Sequence, residues 1–220
     1  PTTAPHNGMN LGPVDDSTST RAAYVAILER ADQGVGRILA AIDSLGLREN
    51  TLVIFTNDNG GEWLSRNTPL FHHKGTVWEG GIRVPAIIRW PGRIPAGGVS
   101  DQVGITMDLT TTILAATRTR VPPDARFEGI NLLPVLEGKV PAFERTLFWR
   151  VTAPTPQMAV RSGDWKLVMD GRRAMLFDLR TDIGERQDLI GQRSGIARHL
   201  RRMLAAWEAD VDGEAARRLE

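Results

Sequence analysis

Two stretches of this chain carry residue types that could do chemistry together. The first is Phe55-Thr56-Asn57-Asp58-Asn59-Gly60-Gly61, and the second is His72-His73-Lys74-Gly75-Thr76-Val77-Trp78-Glu79-Gly80-Gly81-Ile82-Arg83-Val84-Pro85. Asp58 and Asn59 offer a carboxylate and an amide oxygen side by side, hard donors of the kind that calcium and magnesium take. Lys74 offers a fixed positive charge in a glycine-punctuated loop, suited to an anionic group. Asp-Asn-Gly is also an ordinary turn sequence, and most lysines are solvated surface residues, so neither signal alone defines a site.

The elements around these stretches decide whether the residues can meet. Ser17, Thr18, Ser19 and Thr20 offer candidate N-caps for a long helix. Tyr24, Ile27, Ala31, Val35, Ile38, Ile42 and Leu45 then recur at three- and four-residue steps, which predicts a helix with one buried face. Gly46 is placed to end it in a left-handed conformation. Thr51-Leu52-Val53-Ile54-Phe55-Thr56 is a continuous apolar run and predicts a strand covered on both faces. A helix feeding such a strand points to an α/β layer architecture, in which ligands gather beyond the carboxyl ends of strands. Asp58 and Asn59 fall at that end.

Residues 82–90 predict a second strand, with Pro85 at an edge or bulge and Trp90-Pro91-Gly92 turning the chain. Residues 106–117 predict a shorter helix begun at Asp108, and residues 131–136 a further turn or two around Pro134. The character changes near Val140-Pro141. Beyond it, short apolar runs at 157–160, 164–169 and 174–179 are separated by Ser162-Gly163 and Asp170-Gly171, which are hairpin signals for an antiparallel sheet. Ile196, Leu200, Met203, Leu204 and Trp207 form one stripe of a last helix that packs on that sheet. The expected organisation is thus an α/β portion over residues 1–140 and a small antiparallel-sheet subdomain with its helix over 141–220.

Composition narrows the function classes. The 220 residues are 41% hydrophobic, enough for a substantial core. Lysine plus arginine number 27 against 26 acidic residues, a balance that predicts neither nucleic-acid nor membrane-surface binding. There is no cysteine, hence no disulfide, thiolate zinc site or cysteine nucleophile in these residues. No apolar run approaches the roughly 20 residues needed to span a bilayer. The first residues lack the regions of a signal peptide, and they start in mid-loop, as if upstream sequence preceded them. Compartment is left undetermined.

The order of the motifs resembles the C-terminal half of the sulfatases, in the alkaline phosphatase-like superfamily. The residues that carry the resemblance are Phe55 to Gly61, Lys74-Gly75-Thr76, Trp78-Glu79-Gly80-Gly81-Ile82-Arg83-Val84-Pro85 and Trp90-Pro91-Gly92. It continues through Ser162-Gly163-Asp164-Trp165-Lys166-Leu167 and Leu176-Phe177-Asp178-Leu179, which resemble the family's small C-terminal sheet region. The fold implied is part of an alkaline phosphatase-like sheet sandwiched by helices, followed by a small antiparallel sheet with a C-terminal helix.

The resemblance also implies roles. Asp58 and Asn59 become oxygen ligands of an active-site divalent cation, calcium ahead of magnesium. Lys74 becomes a contact to the sulfate oxygens, and His6 a group near the ester oxygen that could protonate the leaving alcohol. His72 and His73 stand where small residues are frequent and are read as packed or solvated. Glu79 and Arg83 are read as an ion pair bracing the loop, and Arg198, Arg201 and Arg202 as a solvated helix face.

The family's nucleophile is a formylglycine made from the first residue of a C/S-x-P-S-R-type motif, and that motif is absent from these 220 residues. The expectation is therefore a metal-dependent sulfuric ester hydrolase whose parent enzyme carries the nucleophile elsewhere, this chain alone being catalytically incomplete. Two alternatives stand beside it: a phosphate or phosphonate ester hydrolase of the same superfamily, and a catalytically silent fragment or binding module. A sheet lacking partner strands would expose apolar edges, through which the chain would associate with itself or with a missing N-terminal half.

Overall fold

Thr20 opens the first helix, α1 (Arg21–Ser44), its hydroxyl accepting the Ala23 N–H at 3.1 Å in a computed structural model of the chain. The structure describes residues 20–62, 64–152 and 156–217, with side chains to 214. At the far end of α1, Gly46 has φ 69°, and the Leu47 N–H returns to the Ile42 carbonyl at 3.0 Å, closing the helix as its sequence predicts. The apolar stripe of α1 has a different fate from the one expected. None of its residues is buried, and Ile27 and Ile38 are 65% and 61% exposed. Periodicity marks the side a helix would bury, while burial needs a partner surface, and the described residues cover the stripe only in part, leaving Tyr24, Val35 and Ile42 half-buried.

After a 3-10 turn at Arg48–Asn50 come strand β1 (Val53–Thr56), the one-turn helix α2 (Glu79–Ile82) and strand β2 (Ala86–Arg89). β2 is shorter than the expected run of 82–90, because Ile82 belongs to α2 and residues 83–85, up to Pro85, lie outside the strand. β1 and β2 form a two-stranded antiparallel sheet, with Val53 opposite Arg89 and Thr56 opposite Ala86. β1 is not covered on both faces as expected, since Phe55 is 44% exposed. Helices α3 (Met107–Thr117) and α4 (Leu133–Leu136) follow. Asp108 is fully buried in α3, where its two carboxylate oxygens accept the Ile105 and Ile130 N–H groups, each at 2.8 Å.

The remaining strands β3 (Thr146–Val151), β4 (Gln157–Ser162), β5 (Trp165–Asp170) and β6 (Arg173–Asp178) form an antiparallel meander in that order, and α5 (Ser194–Arg217) follows. Both faces of this sheet are covered, so the strands carry consecutive apolar residues. Ala159, Val168 and Phe177 join Val77 and Trp78 in one cluster, while Val160, Leu167 and Leu176 join Ala197, Leu200 and Leu204 of α5 in another. The period of two assigns neighbours in sequence to opposite faces. β3 is an addition to the sequence reading. Its Phe148 ring stacks on Trp207 of α5 at 5.3 Å between centroids.

The chain divides into two compact units that are discontinuous in sequence. One holds the chain up to Leu28, Asn57–Pro85 and Arg145–Glu220; the other holds Glu29–Thr56 and Ala86–Glu144. In the second unit, Arg89 pairs with Asp43 at 3.1 Å and the Trp90 indole N–H donates to the Glu49 carbonyl at 3.1 Å.

Candidate active site

Asp58, Asn59 and Lys74 all belong to the first unit, and backbone hydrogen bonds join the loops that carry them. The Lys74 N–H donates to the Gly61 carbonyl at 3.1 Å, and the Gly60 N–H donates to the Gly81 carbonyl at 2.8 Å. Asn67 ties the same loops again, donating from Nδ2 to the Gly61 carbonyl at 2.9 Å and to the His72 carbonyl at 3.1 Å. The approach at Gly60 is too close for any side chain, since a Cβ there would fall 1.8 Å from the Gly80 carbonyl oxygen. Glycine at this position is therefore a condition for the two loops to meet.

Within the first loop, Asp58 is exposed and its Oδ1 accepts the Asn59 N–H at 3.0 Å. Asn59 Nδ2 donates to the Gly60 carbonyl at 2.9 Å, so the amide oxygen is the atom that Asn59 can offer to a cation. In kind, the pair suits a hard divalent ion; in number, it falls short of the about six to eight oxygens that calcium takes. Among the described residues, no group of three or more His, Cys, Asp or Glu side chains gathers as a metal cluster. Lys74 Nζ lies 3.8 Å from Glu62 Oε2.

Beneath the Lys74 loop lies a buried charge cluster. Lys166 of β5 is fully buried, with Nζ 2.8 Å from Glu79 Oε1 and 2.8 Å from Glu185 Oε1. Glu185 Oε2 also accepts the Glu79 N–H at 2.7 Å, and Arg83 reaches Glu79 Oε2 at 3.1 Å. Burial pushes the Glu79 carboxyl up, but the Lys166 charge and the hydrogen bonds from Lys166 and Arg83 outweigh it and hold Glu79 below the ordinary carboxylate value. For Glu185, burial wins over the same lysine and its pKa is raised. The Glu79–Arg83 pair anticipated from sequence is present, with Lys166 and Glu185 as its larger part.

His6 lies outside the described residues. His72 is exposed at φ 63°, its ring stacked with Trp78 at 5.8 Å between centroids, and His73 Nδ1 is 2.9 Å from the Lys74 carbonyl oxygen. Arg198, Arg201 and Arg202 are exposed on α5, the solvated face that was anticipated. Sequence reasoning missed Glu62, Asn67, Lys166 and Glu185. Glu62 and Asn67 could have been noticed from their place between the two motifs; a buried lysine inside an apolar strand carries no such local mark.

Comparison with known proteins bears on this arrangement. The structure of Ps i-CgsB in complex with k-i-k-neocarrahexaose superposes with a TM-score of 0.80 at 26% identity, over 87% of this chain and 44% of that one. The fold is accordingly of the alkaline phosphatase-like α/β class. The family model described as Sulfatase matches residues 4–119, and a second, described as N-sulphoglucosamine sulphohydrolase, C-terminal, matches residues 69–210. The chain belongs to the sulfatase family. It is 44% identical over 127 residues to N-acetylgalactosamine-6-sulfatase from Canis lupus familiaris, covering 55% of this chain and 24% of that protein. Against arylsulfatase A from Homo sapiens it is 33% identical over 208 residues, covering 80% of this chain and 41% of that protein. The chain thus spans from about a quarter to two fifths of the length of these relatives.

Proposed function

We propose that these residues form one wall of the active site of a metal-dependent sulfate ester hydrolase. Asp58 and Asn59 supply two oxygen ligands to a divalent cation, calcium ahead of magnesium, and Lys74 binds the sulfate oxygens. The bound cation would supply Lewis-acid charge stabilisation at the sulfate. The remaining ligands and a formylglycine nucleophile come from outside these residues. The proton for the leaving oxygen is assigned to His6 on the family resemblance alone.

The observation that supports the reading is the pair of bonds from Lys74 N–H to Gly61 and from Gly60 N–H to Gly81, which ties together the loops that carry the oxygen donors and the lysine. A fixed ammonium at the sulfate oxygens neutralises the anion and holds it in line for attack, while the negative charge that grows on the departing oxygen as the sulfur–oxygen bond breaks would be met by the proton from His6.

The test uses the active protein that carries these residues, assayed with an aryl sulfate and the matching aryl phosphate. The expected result is preferential hydrolysis of the sulfate, reduced about a hundredfold or more in Lys74→Ala. Preference for the phosphate, or full activity in Lys74→Ala, overturns the reading.

A further inference from the structure

The buried Glu79–Lys166–Glu185 cluster has no part in the chemistry proposed above, yet it lies under the turn that both candidate loops lean on. Lys166 sits on β5 between Arg161 of β4 and Phe177 of β6, on the sheet face covered by residues 71–79. An apolar side chain of similar length would satisfy the packing at that position, and burying three charged groups is a costly way to fill it. What the charges add is direction. Glu79 is held at its backbone N–H by Glu185 and at its carboxylate by Lys166 and Arg83. It opens α2, and two residues later Gly81 receives the Gly60 N–H, while the Gly80 N–H bonds to the Phe71 carbonyl at 2.7 Å.

We propose that Lys166 is a positioning residue for the candidate site: with Glu79 and Glu185 it fixes α2, the hub on which the Asp58-Asn59 loop and the segment leading into Lys74 are hydrogen-bonded. The small C-terminal sheet is on this account part of the active-site scaffold. The inference rests on the site assignment made above for its catalytic meaning, but its structural content can be measured apart from activity.

Amide hydrogen exchange on the 220-residue chain supplies that measurement, comparing wild type with Lys166→Met, which keeps length and removes the charge. Exchange at the Gly60, Lys74 and Gly80 amides is expected to quicken about tenfold or more, while Val160 and Leu176, in the sheet core facing α5, keep their protection. Lys166→Arg should retain most of the protection at all five. Unchanged rates at the three site amides, or equal loosening of site and sheet, overturn the proposal. Should Lys166→Met fail to fold, Glu79→Gln carries the test with the same three amides and the same overturning results.

In the active protein, Lys166→Met should lower kcat about tenfold or more with KM changed less than threefold, because a displaced lysine and cation lose transition-state contacts first. A change confined to thermal stability, with kcat intact, sinks the positioning role. If no sulfate ester is hydrolysed by wild type, the functional reading fails while the exchange result still decides the inference.

Discussion

Lys74 Nζ lies 3.8 Å from Glu62 Oε2, with the two side chains 34% and 35% exposed. A carboxylate therefore faces the charge that the proposed site uses to bind an anion. Pairs this exposed are worth at most about 1 kcal/mol, so Glu62 competes weakly with an incoming sulfate. Glu62→Gln is expected to tighten inhibition by inorganic sulfate about two- to fivefold in the active protein. Unchanged or weaker inhibition would show that Lys74 does not meet the anion.

Asp58 is exposed, and its carboxylate accepts a local hydrogen bond from the Asn59 N–H. Removing its carboxylate should leave the fold intact and weaken a cation site. Asp58→Ala is expected to lower both metal content and turnover in the active protein, with the circular dichroism spectrum unchanged. Wild-type metal occupancy in that variant removes Asp58 from the ligand set.

Gly60 and Gly36 separate two effects of adding a methyl group. At Gly60 the new Cβ meets the Gly80 carbonyl, and the loops must part; the expected destabilisation is at least about 1–3 kcal/mol. At Gly36, within α1, a Cβ meets nothing within 4 Å, and Gly36→Ala should stabilise by about 0.5–1 kcal/mol through lower chain entropy. Denaturant midpoints of the two variants should move in opposite directions. A tolerated Gly60→Ala would contradict the close approach of the loops.

His72 gives the chain a pH dependence. Although His72 is exposed overall, partial burial of its ring and the neighbouring His73 hold its pKa below the ordinary 6.5, with Asp170 opposing them. The folded chain thus binds fewer protons than the unfolded one just below pH 6.5, and stability from this group, fully present above that value, falls as pH drops through it. His72→Gln should flatten that part of the stability curve. A wild-type slope in the variant would assign the dependence to another group.

Much of the secondary structure was legible because its signals are local. Thr20 and Gly46 bound α1 through bonds that span three to five residues. The turns after Ser162 and Asp170 set the β4–β5 and β5–β6 pairings, since a two-residue link leaves an antiparallel neighbour as the simple outcome. β3 escaped because five residues separate Val151 from Gln157 in sequence, more than the two-residue links that announce the other pairings.

By itself, the sequence determined which residues could do chemistry and which family motifs they form, because residue type and spacing are properties of the chain. Only the tertiary structure decided that the Lys74 N–H meets Gly61, that Glu62 faces Lys74, and that Lys166 and Glu185 grip Glu79 from 87 and 106 residues away. It also decided that the apolar stripe of α1 is only partly covered by the described residues. The physical reason is common to these cases: a periodic pattern or a charged residue states what a side chain requires, and the partner that meets the requirement is chosen by how distant segments pack.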